Sequence, residues 1–172
     1  MLNTTCFLLS VPVLAVLFGY SLTKRFTKFS HFFLGAALGL APLGAWIAIR
    51  EDIAFTPILL GLGVLFWVAG FDILYSCQDY EVDKREEGLF SIPKRYGIAG
   101  AMQISRRIHA VAALCFLLFW WVAPLGILSL IGVIAIAWLL LHQHRLVSPH
   151  DLSRINAAFF TTNGFISILF FV

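Results

Sequence analysis

Six long runs of apolar residues alternate with polar connections along the chain. Each run approaches the roughly 20 residues that an α-helix needs to cross a hydrocarbon layer about 30 Å thick. Because a helix satisfies its backbone polar groups internally, the pattern predicts an all-α, polytopic membrane bundle of six transmembrane helices. The predicted spans are 2–22, 31–49, 53–74, 108–123, 125–141 and 155–172.

The composition supports a membrane protein. The 172 residues are 60% hydrophobic and 12% charged, and the mean hydropathy is +0.92, whereas soluble domains carry roughly 25% charged residues. We therefore expect a single membrane domain, residues 1–172, whose surroundings are lipid and whose partners do not include nucleic acid.

The charges are distributed unevenly between the two sides of the predicted bundle. Alternate connections, at 23–30, 76–107 and 142–154, hold eleven of the twelve Lys and Arg residues, and only Arg50 lies on the other side. By the positive-inside rule, these three connections face the cytoplasm and both chain ends face outward. A bacterial inner membrane is the expected location.

Small residues recur on the second predicted span. Gly35, Gly39 and Gly44 are spaced four and five residues apart, which predicts close approach of a neighbouring helix. A role near a ligand is the less favoured interpretation.

The candidate chemistry begins at the end of the third span. Asp72 lies in apolar sequence, and an acid there is costly enough to indicate function. If the helix continues, Asp72, Tyr75, Asp79 and Asp83 fall at i, i+3, i+7 and i+11, within about 80° on one face. The sequence thus predicts a stripe of three carboxylates, about 16 Å long, that leads from the membrane boundary into connection 76–107.

Two interpretations of this stripe are open. Asp79 and Asp83 are oxygen donors of the kind that suits Mg²⁺ bridged to a phosphate. Alternatively, the stripe is a solvated face neutralised by Lys84 and Arg85. The position of Asp72 in apolar sequence favours a site.

Cations lie beside the acids and in the first inner connection. Lys24 and Arg25 follow Tyr20 by about one turn, so Tyr20 and Lys24 are expected to face one cavity. A diphosphate carries more charge than one divalent ion offsets, so cations beside a magnesium site favour such a ligand. Anchoring to anionic lipids is the alternative, which we prefer for Arg106, Arg107, Arg145 and Arg154.

These residues resemble a known family. The segment Asp72-Ile-Leu-Tyr-Ser-Cys-Gln-Asp79-Tyr-Glu-Val-Asp83, followed by Gly88, Ser91 and Gly97, is similar to the second aspartate-rich motif of the UbiA-type intramembrane aromatic prenyltransferases. Tyr20-Ser-Leu-Thr-Lys24-Arg25 resembles the family's Tyr-x-x-x-Lys-Arg segment. The helix from His31 to Gly44 resembles the Gly-rich helix that follows this segment in the family. Residues 156–164 are similar to the family's Asn-containing last helix.

The resemblance implies Mg²⁺-dependent transfer of a polyprenyl group from a polyprenyl diphosphate to an aromatic acid, of the hydroxybenzoate or hydroxynaphthoate type used in quinone biosynthesis. It implies that Asp79 and Asp83 bind the metal and that Asp72 and Tyr75 act on the aromatic acceptor. It places Lys24, Arg25 and Lys84 on the diphosphate, and Tyr20, Gln78 and Ser91 around the acceptor or the cavity.

The chain also departs from the family. The family has about nine spans and an earlier motif resembling N-D-x-x-D-x-x-x-D, and the six spans here resemble spans four to nine. We expect a separate N-terminal segment to supply the first motif. The alternatives are a non-catalytic membrane remnant or subunit of a split prenyltransferase, and a transporter, which would instead bury charges at mid-membrane.

Overall fold

The computed structural model describes residues 3–171, and the side chains of residues 3–170. The ends of the first and last predicted spans, residues 2 and 172, lie outside this part. The elements are α1 (Thr4–Gly19) with a 3₁₀ turn (Tyr20–Arg25), α2 (Ser30–Arg50), α3 (Phe55–Tyr75) with a 3₁₀ turn (Ser76–Asp79), α4 (Tyr80–Arg85), α5 (Ile92–Val122), α6 (Ile127–Leu146), a π-helical turn (Ala157–Thr161) and α7 (Thr162–Phe171).

The predicted membrane bundle is confirmed, with one short member. Five helical segments of the described chain are long and apolar enough to cross a membrane: Thr4–Arg25, Ser30–Arg50, Phe55–Arg85, Ile92–Val122 and Ile127–Leu146. The sixth apolar run forms a shorter helix, Ala157–Phe170, which begins with the π-helical turn.

Helix α3 lies at the centre of the bundle, and half of its apolar stretch is buried between its neighbours. Helix α2 approaches it through glycines: a Cβ on Gly35 would collide with the carbonyl of Leu65, and one on Gly39 would lie 2.6 Å from the carbonyl of Gly61. The close approach predicted from Gly35 and Gly39 is therefore confirmed. The same prediction is wrong for Gly44, where a Cβ would meet open space.

Helix α1 packs at the edge against α2, and none of its residues is buried. Asn3 caps its first turn by accepting a hydrogen bond from the Cys6 N–H at 2.8 Å. The Asn3 amide also donates to the carbonyl of Ile47 at 2.9 Å, near the last turn of α2. The start of α1 and the end of α2 thus lie together, as an antiparallel pair requires.

The segment 76–107 is mostly helical, which corrects the expectation of a long connection. Helix α5 begins at Ile92 rather than at residue 108, and it bends at Gly97, whose φ of 71° is unfavourable for residues with a Cβ. Arg106 and Arg107 lie on this helix. Charged residues end the hydropathy signal where the helix leaves the apolar layer, but they do not end the helix.

Candidate functional site

The acidic segment runs from the end of α3 through α4, and it is not one continuous α-helix. The 3₁₀ turn Ser76–Asp79 separates α3 from α4. A 3₁₀ helix turns about 120° per residue instead of about 100°, so its four residues rotate Asp83 by about 80° relative to the straight stripe. The single straight stripe is therefore wrong, although Asp79 and Asp83 remain about one turn apart.

Asp72 is paired with a histidine from α2. Its Oδ2 lies 2.6 Å from Nδ1 of His31, and within residues 3–170 no other basic side chain contacts a carboxylate. His31 is fully buried, and its other ring nitrogen, Nε2, has no hydrogen-bond partner. The Asp72 side chain is 26% exposed, so the carboxylate is partly accessible.

Asp83 is the buried acid of the site. It is 4% exposed, and its Oδ2 has no hydrogen-bond partner, whereas Asp79 is half-buried. Lys84 does not pair with either acid and lies instead over the ring of Tyr80, 5.7 Å from its centre. A stripe neutralised by Lys84 and Arg85 is therefore wrong for the described side chains, and a buried carboxylate oxygen is left for some other cation.

The donor set fits Mg²⁺ in part. Carboxylate oxygens are the ligands that Mg²⁺ prefers, and the unpartnered Asp83 oxygen is the kind of atom that a cation would satisfy. Within the described residues, however, no three His, Cys, Asp or Glu side chains are grouped to hold a metal. Asp79 and Asp83 can provide only part of a coordination shell.

Tyr75 lies in an aromatic cluster built on the last helix. Its ring packs against Phe159 at 4.1 Å between centres and contacts Phe160 at 6.0 Å, and Phe71 contacts Phe159 from the turn below. Phe159 and Phe160 belong to the π-helical turn, and such turns are frequent at functional sites. The cluster provides a flat apolar wall one turn from Asp72.

A cationic cavity lies where the first inner turn meets the start of α5. The N–H of Phe90 donates to the carbonyl of Lys24 at 2.7 Å, which joins the two segments. Beside this bond is an open cavity of about 520 Å³ that is lined by three basic side chains and no acid: its lining is Phe26, Thr27, Lys28, Phe29, Phe90, Ser91, Lys94 and Arg95.

The remaining predicted site residues differ in how exposed they are. Ser91 is 1% exposed, and its Oγ accepts the Lys94 N–H at 3.2 Å as the N-cap of α5. Tyr20 and Lys24 are half-buried on the 3₁₀ turn. Arg25, Lys84 and Gln78 are exposed.

Sequence reasoning missed several polar residues of the bundle. His31 could have been found from the sequence, because it lies at the start of one apolar run and Asp72 lies near the end of the next. Deeper in the bundle, the buried His109 contacts Nε2 of His144 at 2.8 Å and the Trp67 carbonyl at 3.2 Å. Trp67 also donates to Asn163 at 3.0 Å, so this second network joins four helices.

Comparison with known proteins gives matches over nearly the whole chain. The model of the UbiA prenyltransferase family matches residues 1–169. A solved structure described as the apo form of a UbiA homolog from Aeropyrum pernix K1 superposes with a TM-score of 0.86 and 30% identity, covering 98% of this chain and 62% of that one.

Two curated relatives share one name. A 4-hydroxybenzoate octaprenyltransferase of Citrobacter koseri is 29% identical over 98% of this chain and 58% of its own length. The same-named protein of Chromohalobacter salexigens is 29% identical over 91% of this chain and 52% of its own length. The chain thus spans little more than half the length of these relatives.

Proposed function

The chain belongs to the UbiA prenyltransferase family, and we propose that it forms the site where a polyprenyl group passes from a polyprenyl diphosphate to an aromatic acid of the 4-hydroxybenzoate type, with Mg²⁺. The observation that carries the proposal is the buried Asp83 carboxylate with an unpartnered oxygen, one turn after Asp79. The acceptor class is supported by the name of the relatives in Citrobacter and Chromohalobacter.

Asp79 and Asp83 are proposed to hold Mg²⁺ against the diphosphate. When bound, the ion would offset the negative charge that builds up on the leaving diphosphate. Lys24, Arg25 and Lys84 are proposed to contribute positive charge around the phosphates. Of these, Lys24 is the best supported, because its backbone is held to Phe90 beside the basic cavity.

Asp72 and Tyr75 are proposed to receive the aromatic acceptor. The apolar wall of Tyr75 and Phe159 suits a flat ring, and the Asp72 carboxylate is accessible one turn away. Tyr20, Gln78 and Ser91 are proposed to complete the cavity, and Ser91 also serves α5 as its N-cap.

The proposed transfer breaks one bond of the diphosphate and forms one bond to the aromatic ring. The C1–O bond of the allylic diphosphate breaks, and both electrons leave with the diphosphate. A π-electron pair of the ring forms the new bond to C1 while Asp72 takes up the phenolic proton. The ring carbon then releases its proton to water, and the phenolate recovers its proton from Asp72.

A further set of carboxylates is proposed to come from a separate N-terminal segment. Asp79 and Asp83, with phosphate and water oxygens, can hold one Mg²⁺ on one side of the diphosphate, as one or two carboxylates commonly do. Since no third acid is grouped with them in the described chain, the opposite side of the diphosphate needs carboxylates from elsewhere. The same observation favours the second candidate, a non-catalytic subunit of a split prenyltransferase.

Reconstitution distinguishes the two candidates. The chain is placed in nanodiscs with a polyprenyl diphosphate, 4-hydroxybenzoate and Mg²⁺, alone and with a co-expressed segment that carries N-D-x-x-D-x-x-x-D. We expect prenylated product at a substantial rate only with the segment. Product with the segment that is unaffected by Asp83→Asn would show that this chain is the non-catalytic partner.

A further inference from the structure

We propose that His31 is a positioning residue that holds one oxygen of Asp72 and leaves the other free for the aromatic acceptor. The inference rests on the proposed function for the role of Asp72, but the pairing itself does not. Its basis is the 2.6 Å contact between Nδ1 of His31 and Oδ2 of Asp72, made by a histidine with no exposed surface. Neither composition nor motif spacing links these residues, which are 41 positions apart.

The protonation pattern follows from the unpartnered Nε2 atom. If Asp72 is an anion and His31 is neutral with its proton on Nδ1, then Nδ1–H donates to Oδ2 and Nε2 is only a bare acceptor. A doubly protonated His31, or a neutral His31 that carries its proton on Nε2 and accepts from a protonated Asp72, would keep the short contact but place a proton on Nε2, where no acceptor lies within reach. A buried N–H without a partner is rarer and more costly than an unfilled acceptor.

This arrangement gives His31 a defined effect on Asp72. The hydrogen bond to Oδ2 fixes the rotation of the carboxylate. Since the Asp72 side chain is partly exposed, Oδ1 is left as the acceptor for a phenolic hydroxyl. The histidine acts through Asp72 and does not touch the substrate.

The close packing around the pair keeps the histidine in place. His31 lies in the first turn of α2, and Gly35 brings that helix onto α3 one turn later. A Cβ on Gly35 would collide with the backbone of Leu65 and push α2 away from α3 near the pair. The positioning of Asp72 is thus built from the α2–α3 interface.

The first test does not depend on activity. The chain, with ¹⁵N-labelled histidine in nanodiscs, is examined by NMR, and His31→Asn identifies the signal. We expect His31 to be neutral with its proton on Nδ1, and Asp72→Ala to change that signal while leaving the His109 signal unchanged. A proton on Nε2, or a signal that ignores Asp72→Ala, would overturn the inference even if prenyl transfer is observed.

The second test uses prenyl transfer by the complete system, including the N-terminal segment. His31→Leu removes the donor and should lower kcat about tenfold to a hundredfold with little change in KM for the polyprenyl diphosphate. His31→Asn keeps an N–H near the position of Nδ1 and should restore most of that loss. Ser30→Ala, at a neighbouring buried hydroxyl without a partner, is the matched packing control and should have little effect.

A double mutant decides whether His31 acts through Asp72. If it does, His31→Leu should cost little more once Asp72→Ala is present. Additive losses, or equal losses in His31→Leu and His31→Asn, would mean that His31 serves only the packing of α2. Absence of product from the unmodified system would contradict the proposed function. The pairing of His31 with Asp72 would then be tested by the NMR experiment alone.

Discussion

The N–H of Phe90 donates to the carbonyl of Lys24 across 66 positions of sequence, at 2.7 Å. This bond fastens the 3₁₀ turn after α1 to the segment that leads into α5. It brings the Lys24 backbone beside a cavity lined by Lys28, Lys94 and Arg95. The inner face therefore has a fixed basic region whose position depends on how α5 begins.

Replacing Ser91 by Ala should destabilise the protein without a direct effect on the aromatic acceptor. The hydroxyl caps α5 through the Lys94 N–H, and loss of such a cap costs about 1 kcal/mol. Thermal unfolding in detergent measures the loss, and Ser91→Thr is the control because it can keep the cap. A raised KM for the acceptor at unchanged stability would instead give Ser91 a direct role in binding the acceptor.

Asp83→Asn should weaken Mg²⁺-dependent binding of a polyprenyl diphosphate more than Asp79→Asn. Asp83 is 4% exposed with an unpartnered oxygen, so its contact with a cation is less screened by water. We expect a loss of about tenfold or more for Asp83→Asn, measured by titration in nanodiscs.

Glu86→Gln and Glu87→Gln are the controls for that measurement, because both acids are exposed on the bend after α4. They should change the affinity little. Equal losses in all four variants would indicate a diffuse electrostatic effect instead of a site.

Gly35→Ala should destabilise the bundle, whereas Gly44→Ala should not. A methyl group on Gly35 would meet the backbone of Leu65, which cannot move without separating α2 from α3. Overpacking of this kind costs about 1–3 kcal/mol. At Gly44 there is open space, so the two thermal melts should differ, and equal melts would contradict the close helix contact.

Cysteine labelling should place residue 53 outside and residue 150 inside. Ile53 is 74% exposed between α2 and α3, and His150 is exposed in the turn after α6. In a background without Cys6, Cys77 and Cys115, a membrane-impermeant thiol reagent should label Ile53→Cys in intact cells, and His150→Cys only after permeabilisation. The opposite pattern would reverse the predicted orientation.

The sequence could predict the bundle because the membrane imposes simple rules. Apolar runs of sufficient length must be helical when they cross lipid, and five of the six predicted runs are long helices in the described chain. The pattern at Asp72, Asp79 and Asp83 also located the candidate site, since acids next to apolar sequence are uncommon.

Other features were decided by contacts between distant residues. Hydropathy could not show that α5 begins at Ile92, because the helix continues through charged sequence at the membrane boundary. Helical periodicity could not show the 3₁₀ turn that rotates Asp83 into a buried position. Spacing favoured Gly44 as much as Gly39, but only the path of α3 determines which glycine is in contact.

The sequence by itself determined which segments enter the membrane and where the acids lie, because hydrophobic length and charge are local properties of the chain. Only the tertiary structure decided that His31 meets Asp72 and that Asp83 keeps an oxygen without a partner. Pairing and burial depend on which helices pack together and at what register. Side-chain positions set by that packing are not encoded in any one segment.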